Sequence, residues 1–199
     1  FNPKDGADFS NTPGFHEGSA WNYTFYVPHD VYGLAKLMGG KGRFVKQLLT
    51  VFDRGNYDPT NEPNIAYPYL FSYFKGEEWR TQVLTHQLLQ TYFKNSPEGL
   101  PGNDDTGTMS AWALFSMMGF YPDCPGEPAY TLTSPVFDKI TLHLDEKQWG
   151  RDKLVIETQR SNPNAVRIEK IEVGGKPWHQ YRISHNDLVK AGTLKFTLK

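Results

Sequence analysis

The 199 residues carry 21 basic and 22 acidic side chains, a formal charge of -1, which speaks against nucleic acid or an anionic membrane surface as the main partner. Aromatic residues make up 15% of a chain that is only 38% hydrophobic, so flat rings are available for a core or for stacking on sugars. One cysteine, Cys124, excludes an internal disulfide framework and a cysteine zinc site, and no apolar run approaches the roughly 18 residues of a membrane helix. The opening FNPKDGADF has neither an initiator Met nor a signal peptide and reads as a start in mid-protein. A missing signal on such a piece carries no information about export.

The first part reads as helical. VYGLAKLMG (31–39) follows Asp30, a good N-cap, and is stopped by Gly39-Gly40. RFVKQLLTVFD (43–53) places Phe44, Leu48 and Val51 on one amphipathic stripe. A loop of Gly, Asn, Asp and Pro (55–64) follows, and Pro68 begins or interrupts the next element. EEWRTQVLTHQLLQTYF (77–93) predicts the longest helix, with a ladder through Trp79, Val83, Leu84, Gln87 and Leu88. TGTMSAWALFSMMGF (106–120) is apolar nearly all round from Met109 and predicts a buried helix. Helices joined by loops point to a bundle or an α/α barrel.

At YPDCPGEPAY (121–130) the prolines end the helical pattern, and beyond it the period becomes two. ITLHL (140–144), KLVIET (153–158), AVRIEKIEV (165–173), WHQYRIS (178–184) and TLKFTLK (193–199) read as short antiparallel strands of a sandwich-like region. The fold class is therefore α+β, with a helical unit over 1–125 and an antiparallel β unit over 126–199.

Three stretches carry candidate chemistry. In PGNDDTGTMSAW (101–112), Asp104 and Asp105 stand at a loop-to-helix junction. Spacing alone favours helix capping; the sharper reading has one Asp as a general base, with Gly102 and Gly107 allowing substrate close. In GFHEGSAWNYTFYVPHD (14–30), His16, Glu17, His29 and Asp30 alternate with Trp21, Tyr23, Phe25 and Tyr26. A glutamate wedged among rings has its pKa raised by desolvation, as a general acid needs; a surface glutamate in a loop is the plainer alternative. In DPTNEPNIAYPYL (58–70), Asn61 and Glu62 offer the hard oxygens that calcium takes, though one Asn-Glu-Pro is a weak signal. The six His show no zinc spacing, Cys124 reads as structural, and His86 reads as a partly buried structural histidine.

In order along the chain, GFHEGSAWNYTFYVPHD, NEP with PYLFSY, and GLPGNDDTGTMSAWALFSMMGFYPDCPG resemble glycoside hydrolase family 92. YTLTSPVFDKITL, GGKPW and ISHNDL are similar to its C-terminal β region, so the resemblance spans almost the whole chain. It implies a calcium-dependent, inverting exo-α-mannosidase, present as the closing helices of an (α/α)6 barrel followed by strands. Glu17 matches the family's general acid and Asp105 its general base. Asn103 stands where relatives often carry a second acid, so Asn103 and Asp104 are both candidates for holding the water. Asn61 and Glu62 fall in the calcium motif, where the ion is thought to bind the sugar's 2- and 3-hydroxyls. Many relatives have a His shortly after NEP; here Ile65-Ala66-Tyr67 stands instead, and if that His contacts the leaving sugar the family's linkage preference does not carry over.

The resemblance further implies a terminal mannose of a glycan as substrate, α-1,2-linked as the leading choice. It implies an N-terminal part of the same enzyme as partner and a periplasmic or extracellular location. Residues 1–199 alone are expected to be inactive. Two alternatives stand beside this: a non-catalytic carbohydrate-binding module, and the family branch that cleaves mannose-1-phosphate diesters. That branch has Gln at the acid's place, so Glu17 speaks for a true glycosidase.

Overall fold

Phe44, Leu48 and Val51 are fully buried along one face of α3 (Lys41–Asp53), as their i, i+4, i+7 spacing requires. Around that face a computed structural model, which describes residues 14–199, assembles the helical half of the chain. The opening FNPKDGADF lies outside the described residues.

A short α1 (Ala20–Tyr23) leads to α2 (Val31–Leu37), which Asp30 caps by accepting a 2.8 Å hydrogen bond from the Gly33 amide. After α3 come the single turn α4 (Glu62–Ile65) and a 3-10 helix (Tyr67–Tyr73) that Pro68 begins rather than interrupts. The rings of Tyr67, Tyr69 and Phe71 are wholly buried against Phe25, Phe44 and Trp112.

The two long helices α5 (Glu78–Tyr92) and α6 (Thr108–Met118) depart from their sequence reading in which face they bury. On α5 the buried side chains are Thr81, Gln82, Thr85, Leu88 and Leu89, while Gln87 is exposed and Trp79 lies beneath the guanidiniums of Arg80 and Arg167. The reason is a second packing partner: Gln82 Oε1 accepts from the Ile168 amide, and the Thr85 and Thr133 hydroxyls share a 2.8 Å bond. Polar residues thus face the β region, where their groups are paired. On α6, Met109, Trp112, Ala113, Ser116 and Met118 are buried but Leu114 is 57% exposed, so the helix is covered on one side only.

Gly119 ends α6 at φ +91, and a Cβ there would sit 2.6 Å from the Pro135 ring; only glycine lets the chain turn into the strands at this point. Eight strands follow. β1 (Phe120–Tyr121), β2 (Ala129–Leu132) and β7 (Arg182–Ser184) form one antiparallel sheet. β3 (Lys139–His143), β4 (Lys153–Arg160), β8 (Thr193–Leu198), β5 (Ile168–Val173) and β6 (Lys176–Trp178) form the other in that order, antiparallel except where β4 runs parallel to β8. Phe120, Leu132 and Ile183 of the first sheet share a core with Ile156, Ile171, Leu194 and Phe196 of the second, as in a sandwich. A helix turn, α7 (Glu146–Trp149), joins β3 to β4, and α8 (His185–Ala191) delivers Leu188 to the same core. WHQYRIS is not one strand: residues 179–181 cross between the sheets, and Trp178 Nε1 donates to the Arg182 carbonyl across that corner.

Candidate active site

Ser19 caps α1, its Oγ accepting from the Trp21 amide at 3.2 Å while its amide and hydroxyl both donate to Asn22 Oδ1 at 2.8 Å. The chain entering this cap is held by its carbonyls. The Tyr23 hydroxyl donates to His16 O, and Asn61 Nδ2 donates to Glu17 O, each at 2.5 Å. The Glu17 side chain is left in solvent, 76% exposed, with His16 Nε2 3.7 Å from its Oε1. A glutamate wedged among rings is therefore not what this chain builds by itself. Phe25 turns into the core with Phe44 and Tyr67, and Tyr23 stacks on Phe15.

Residues 58–64 lie against that segment. Asp58 Oδ1 accepts from the Thr60 amide and hydroxyl at 2.8 and 2.7 Å, closing a turn that sets Asn61 at the N-cap of α4. Asn61 is 8% exposed, whereas Glu62, at the first position of the turn, faces solvent. The same loop touches the acidic pair's loop on its other side. A Cβ at Gly102 would fall 2.9 Å from Thr60 Cγ2 and 3.1 Å from its Cβ, so glycine is what permits this approach.

In that third loop the two aspartates have different surroundings. Asp104 Oδ1 accepts from the Ser110 amide and Oδ2 from the Ser110 hydroxyl, both at 2.8 Å. These bonds, the amide first, hold its carboxyl below the usual carboxylate range. Asp104 is thus an ionised cap for α6. Asp105 is fixed through its backbone, its carbonyl accepting from the Thr108 amide at 3.2 Å and hydroxyl at 2.7 Å. Among the described residues neither its carboxylate nor the exposed Asn103 side chain makes a hydrogen bond or ion pair.

Backbone conformation singles out the same positions. Among the described residues, Glu17 (φ +48), Asp105 (φ +47) and Thr106 (φ +60) are the non-glycine residues with positive φ. That region is disfavoured for side-chain-bearing residues and persists where the surroundings over-determine it, as in sites that must aim a group.

The three sequence motifs are therefore contiguous, with 58–64 between Glu17 and the Asp105 loop. Other candidates fall to structural roles. Asp30 caps α2. Cys124 is buried and desolvation raises its thiol pKa. Burial lowers the pKa of His86, whose Nε2 lies 3.0 Å from Ser134 O. For a metal, the described residues hold no group of three His, Cys, Asp or Glu. Asn61 and Glu62 nonetheless present oxygens of the kind calcium takes; the Asn61 amide nitrogen is committed to Glu17 O, and Glu62 is in no described ion pair.

Sequence reasoning passed over Asn22, Asp58, Thr60 and Asn64. Ser19 and Asn22 show capping-box spacing and were findable. Asn64 meets Asn22 across 42 residues, for which no local signal exists.

A family model described as the Glycosyl hydrolase family 92 catalytic domain matches residues 1–199. An uncharacterized secreted glycosidase of Arthroderma benhamiae is 30% identical over 190 residues, 95% of this chain and 24% of its own. The family GH92 alpha-mannosidase BT3965 from Bacteroides thetaiotaomicron is 29% identical with a TM-score of 0.82, over 96% of this chain and 26% of its own. The family GH92 inverting mannosidase BT2199 from Bacteroides thetaiotaomicron VPI-5482 is 30% identical with a TM-score of 0.80, over 93% and 28% respectively. The chain thus spans about a quarter of the length of these relatives.

Proposed function

The chain belongs to glycosyl hydrolase family 92, and from that premise we propose that it supplies the acid and base of an inverting exo-α-mannosidase. The observation that carries this reading is the contiguity of the three loops: Asn61 bonded to Glu17 O on one side, Thr60 packed on Gly102 on the other.

In this reading Glu17 gives its proton to the departing glycosidic oxygen. Asp105, its carboxylate not engaged by described neighbours, takes a proton from water on the opposite face of the sugar. An inverting pair stands roughly 6.5–9.5 Å apart to admit that water. Asp104 is spoken for by Ser110 and supports the loop rather than the chemistry. Asn103, exposed and with its side chain in no described bond, is then our candidate for holding the water. A carboxyl that is protonated near neutral pH needs its charged form penalised, by desolvation or by a nearby negative charge. Glu17 is 76% exposed in this chain, so we assign its covering to the bound sugar and to an N-terminal part of the same enzyme.

Asn61 and Glu62 would hold calcium, with further ligands from outside this pair, since calcium takes 6–8 oxygens. A calcium held there would supply electrostatic stabilisation to a distorted sugar ring. We take terminal α-1,2-linked mannose of a glycan as the substrate and an extracellular or periplasmic setting. The Arthroderma relative is named as secreted, and no helix among the described residues is long and apolar enough to cross a membrane.

The test is made in the full-length enzyme. E17Q and D105N should each lower kcat on α-1,2-mannobiose by about 10²–10⁴-fold, the range for losing a general acid or base. Proton NMR of the wild-type reaction should show β-mannose forming first. α-Mannose as the first product, or wild-type turnover by either variant, would overturn the assignment. Chelation should abolish activity and added calcium restore it; indifference to chelation would remove calcium from the reading.

A further inference from the structure

Two asparagines that no step of the reaction requires are among the most deeply buried polar groups in the chain. Ser19, Asn22 and Asn64 each have 0% exposure. Burying an amide is unfavourable unless its donors and acceptors are met, and here they are. Ser19 N–H can only donate, so the Asn22 atom that receives it at 2.8 Å is the oxygen. The Asn22 nitrogen therefore faces Asn64, donating to its Oδ1 at 2.5 Å. Asn64 Oδ1 also receives the Asp58 amide at 3.3 Å. The Tyr67 hydroxyl donates to Asn22 O at 2.6 Å and accepts from the Phe25 amide at 3.0 Å.

The network lies between the loop of Glu17 and the loop of Asn61. Its reach to Glu17 is short: Ser19 is two residues away, and Gly18 between them is hemmed in. A Cβ on Gly18 would lie 3.1 Å from the Tyr23 ring and 3.2 Å from Asn22 Cβ. Asn22 is tied by two bonds to Ser19, on the same stretch of backbone that carries Glu17. A pair of apolar side chains would fill the same space without fixing one loop's register on the other, which directional bonds do.

We propose that the Asn22–Asn64 amide pair is a brace that aims Glu17 at the glycosidic oxygen, both asparagines being positioning residues for the acid step. The inference rests on the reading of Glu17 as general acid. It separates this pair from Asn61, whose side chain holds the Glu17 carbonyl and belongs to the proposed metal motif.

Asn22→Asp isolates the brace. It keeps the oxygen that Ser19 needs but sets a second acceptor against Asn64 Oδ1, so the side-chain bond between Asn22 and Asn64 is lost while the Asn61–Glu17 and Tyr67–Asn22 bonds remain. In the full-length enzyme it should lower kcat on α-1,2-mannobiose by roughly 10–100-fold, the scale of a misplaced catalytic group, with KM little changed. On α-mannosyl fluoride, whose leaving group departs without a proton, N22D should turn over nearly as fast as wild type. E17Q, measured alongside, should show the same split between substrates. A merely structural role would slow both substrates together. Equal losses on both, or no loss, in N22D folded by circular dichroism overturn the brace while the E17Q split leaves the acid intact. An E17Q enzyme equally slow on both substrates overturns the acid reading and the brace with it. If N22D does not fold, Asn64→Ala removes the acceptor, and with it the Asp58 amide's partner, leaves Ser19 and Asn22 paired, and is read on the same split between the two substrates.

Discussion

Asp104 and Asp105 are adjacent, equally charged and differently employed. Asp104 accepts two bonds from Ser110 and so closes the first turn of α6, a service that Gly107 at the N-cap cannot give with a side chain. Asp105 is carried into the left-handed region at φ +47, followed by Thr106 at +60 and Gly107 at +91. Three such residues in succession reverse the chain sharply, and the strain is held by Thr108, which binds the Asp105 carbonyl. The cap has a checkable pH signature. Its bonds lower the carboxyl pKa in the fold, so the stabilisation is fully present above the unfolded value of 3.8 and is lost as pH falls through the folded one. D104A should therefore speed hydrogen exchange at the Ser110 amide at neutral pH, with the difference closing below 3.8. Unchanged Ser110 protection in D104A would mean that the carboxylate caps nothing.

At the scale of elements, α5 shows why one helix can be placed by sequence yet misread in its packing. Its polar face meets the β region, and His86 on that helix lies beside Ser134 O. Burial lowers the imidazole pKa, the Arg160 charge adds to this, and the Ser134 carbonyl opposes it. Stability is then full above the unfolded value of 6.5 and falls as pH drops below it, because the unfolded chain gains a proton that the fold resists. His86→Gln, which keeps a donor for Ser134, should flatten the decline in thermal stability between neutral pH and mild acid; an unaltered acid slope would refute it. The sequence located α2, α3, α5 and α6 to within two residues, because periodicity, caps and glycine stops are local. Its ladder through Trp79, Val83 and Gln87 passes over Thr81, Gln82 and Thr85, since a polar residue buried against a partner looks like a surface one until the partner is known. Sheet membership is equally non-local: nothing in WHQYRIS says that its ends belong to different sheets. At the site, Glu17, Asn61 and Asp105 stand out in the sequence by residue type and take their roles from the resemblance, whereas Asn22 and Asn64 form a pair only after folding.

At the scale of the whole molecule, the helical core and the strand core meet at Phe115, which packs against both, and at one buried carboxylate. Asp123, 3% exposed, accepts from the Tyr73 hydroxyl of the 3-10 helix and from the Thr131 hydroxyl of β2, each at 2.6 Å. The Arg182 guanidinium of β7 lies 4.7 Å over the Tyr73 ring and bonds Glu127 at 2.9 Å. Burial works against the charge on Arg182, but Asp123, Tyr73 and Glu127 outweigh it and hold its pKa above the ordinary value. Burial and the neighbouring carboxylate together push the Tyr73 hydroxyl far up, keeping it a donor. This cluster stands just past the C-terminal end of α6, whose other end presents Asp105, so the joint between halves also anchors the helix behind the proposed base. Removing the carboxylate strands the buried Thr131 hydroxyl and the partly buried Tyr73 hydroxyl and takes one nearby negative charge from Arg182, whose ion pair with Glu127 remains. D123A should cost about 3–5 kcal/mol, the scale for breaking a buried charged network, whereas D123N, which retains an acceptor, should cost about 1–3 kcal/mol. The loss should show as a changed mode of unfolding as well as a lower midpoint. In the full-length enzyme, with hydrogen exchange followed by mass spectrometry, wild-type α6 and β2 should open together in denaturant, while in D123A the strands should open first. If the two elements still open together in D123A at the wild-type denaturant midpoint, the halves are held by the packing around Phe115 and the α5 bonds to Thr133, Ser134 and Ile168 without help from Asp123.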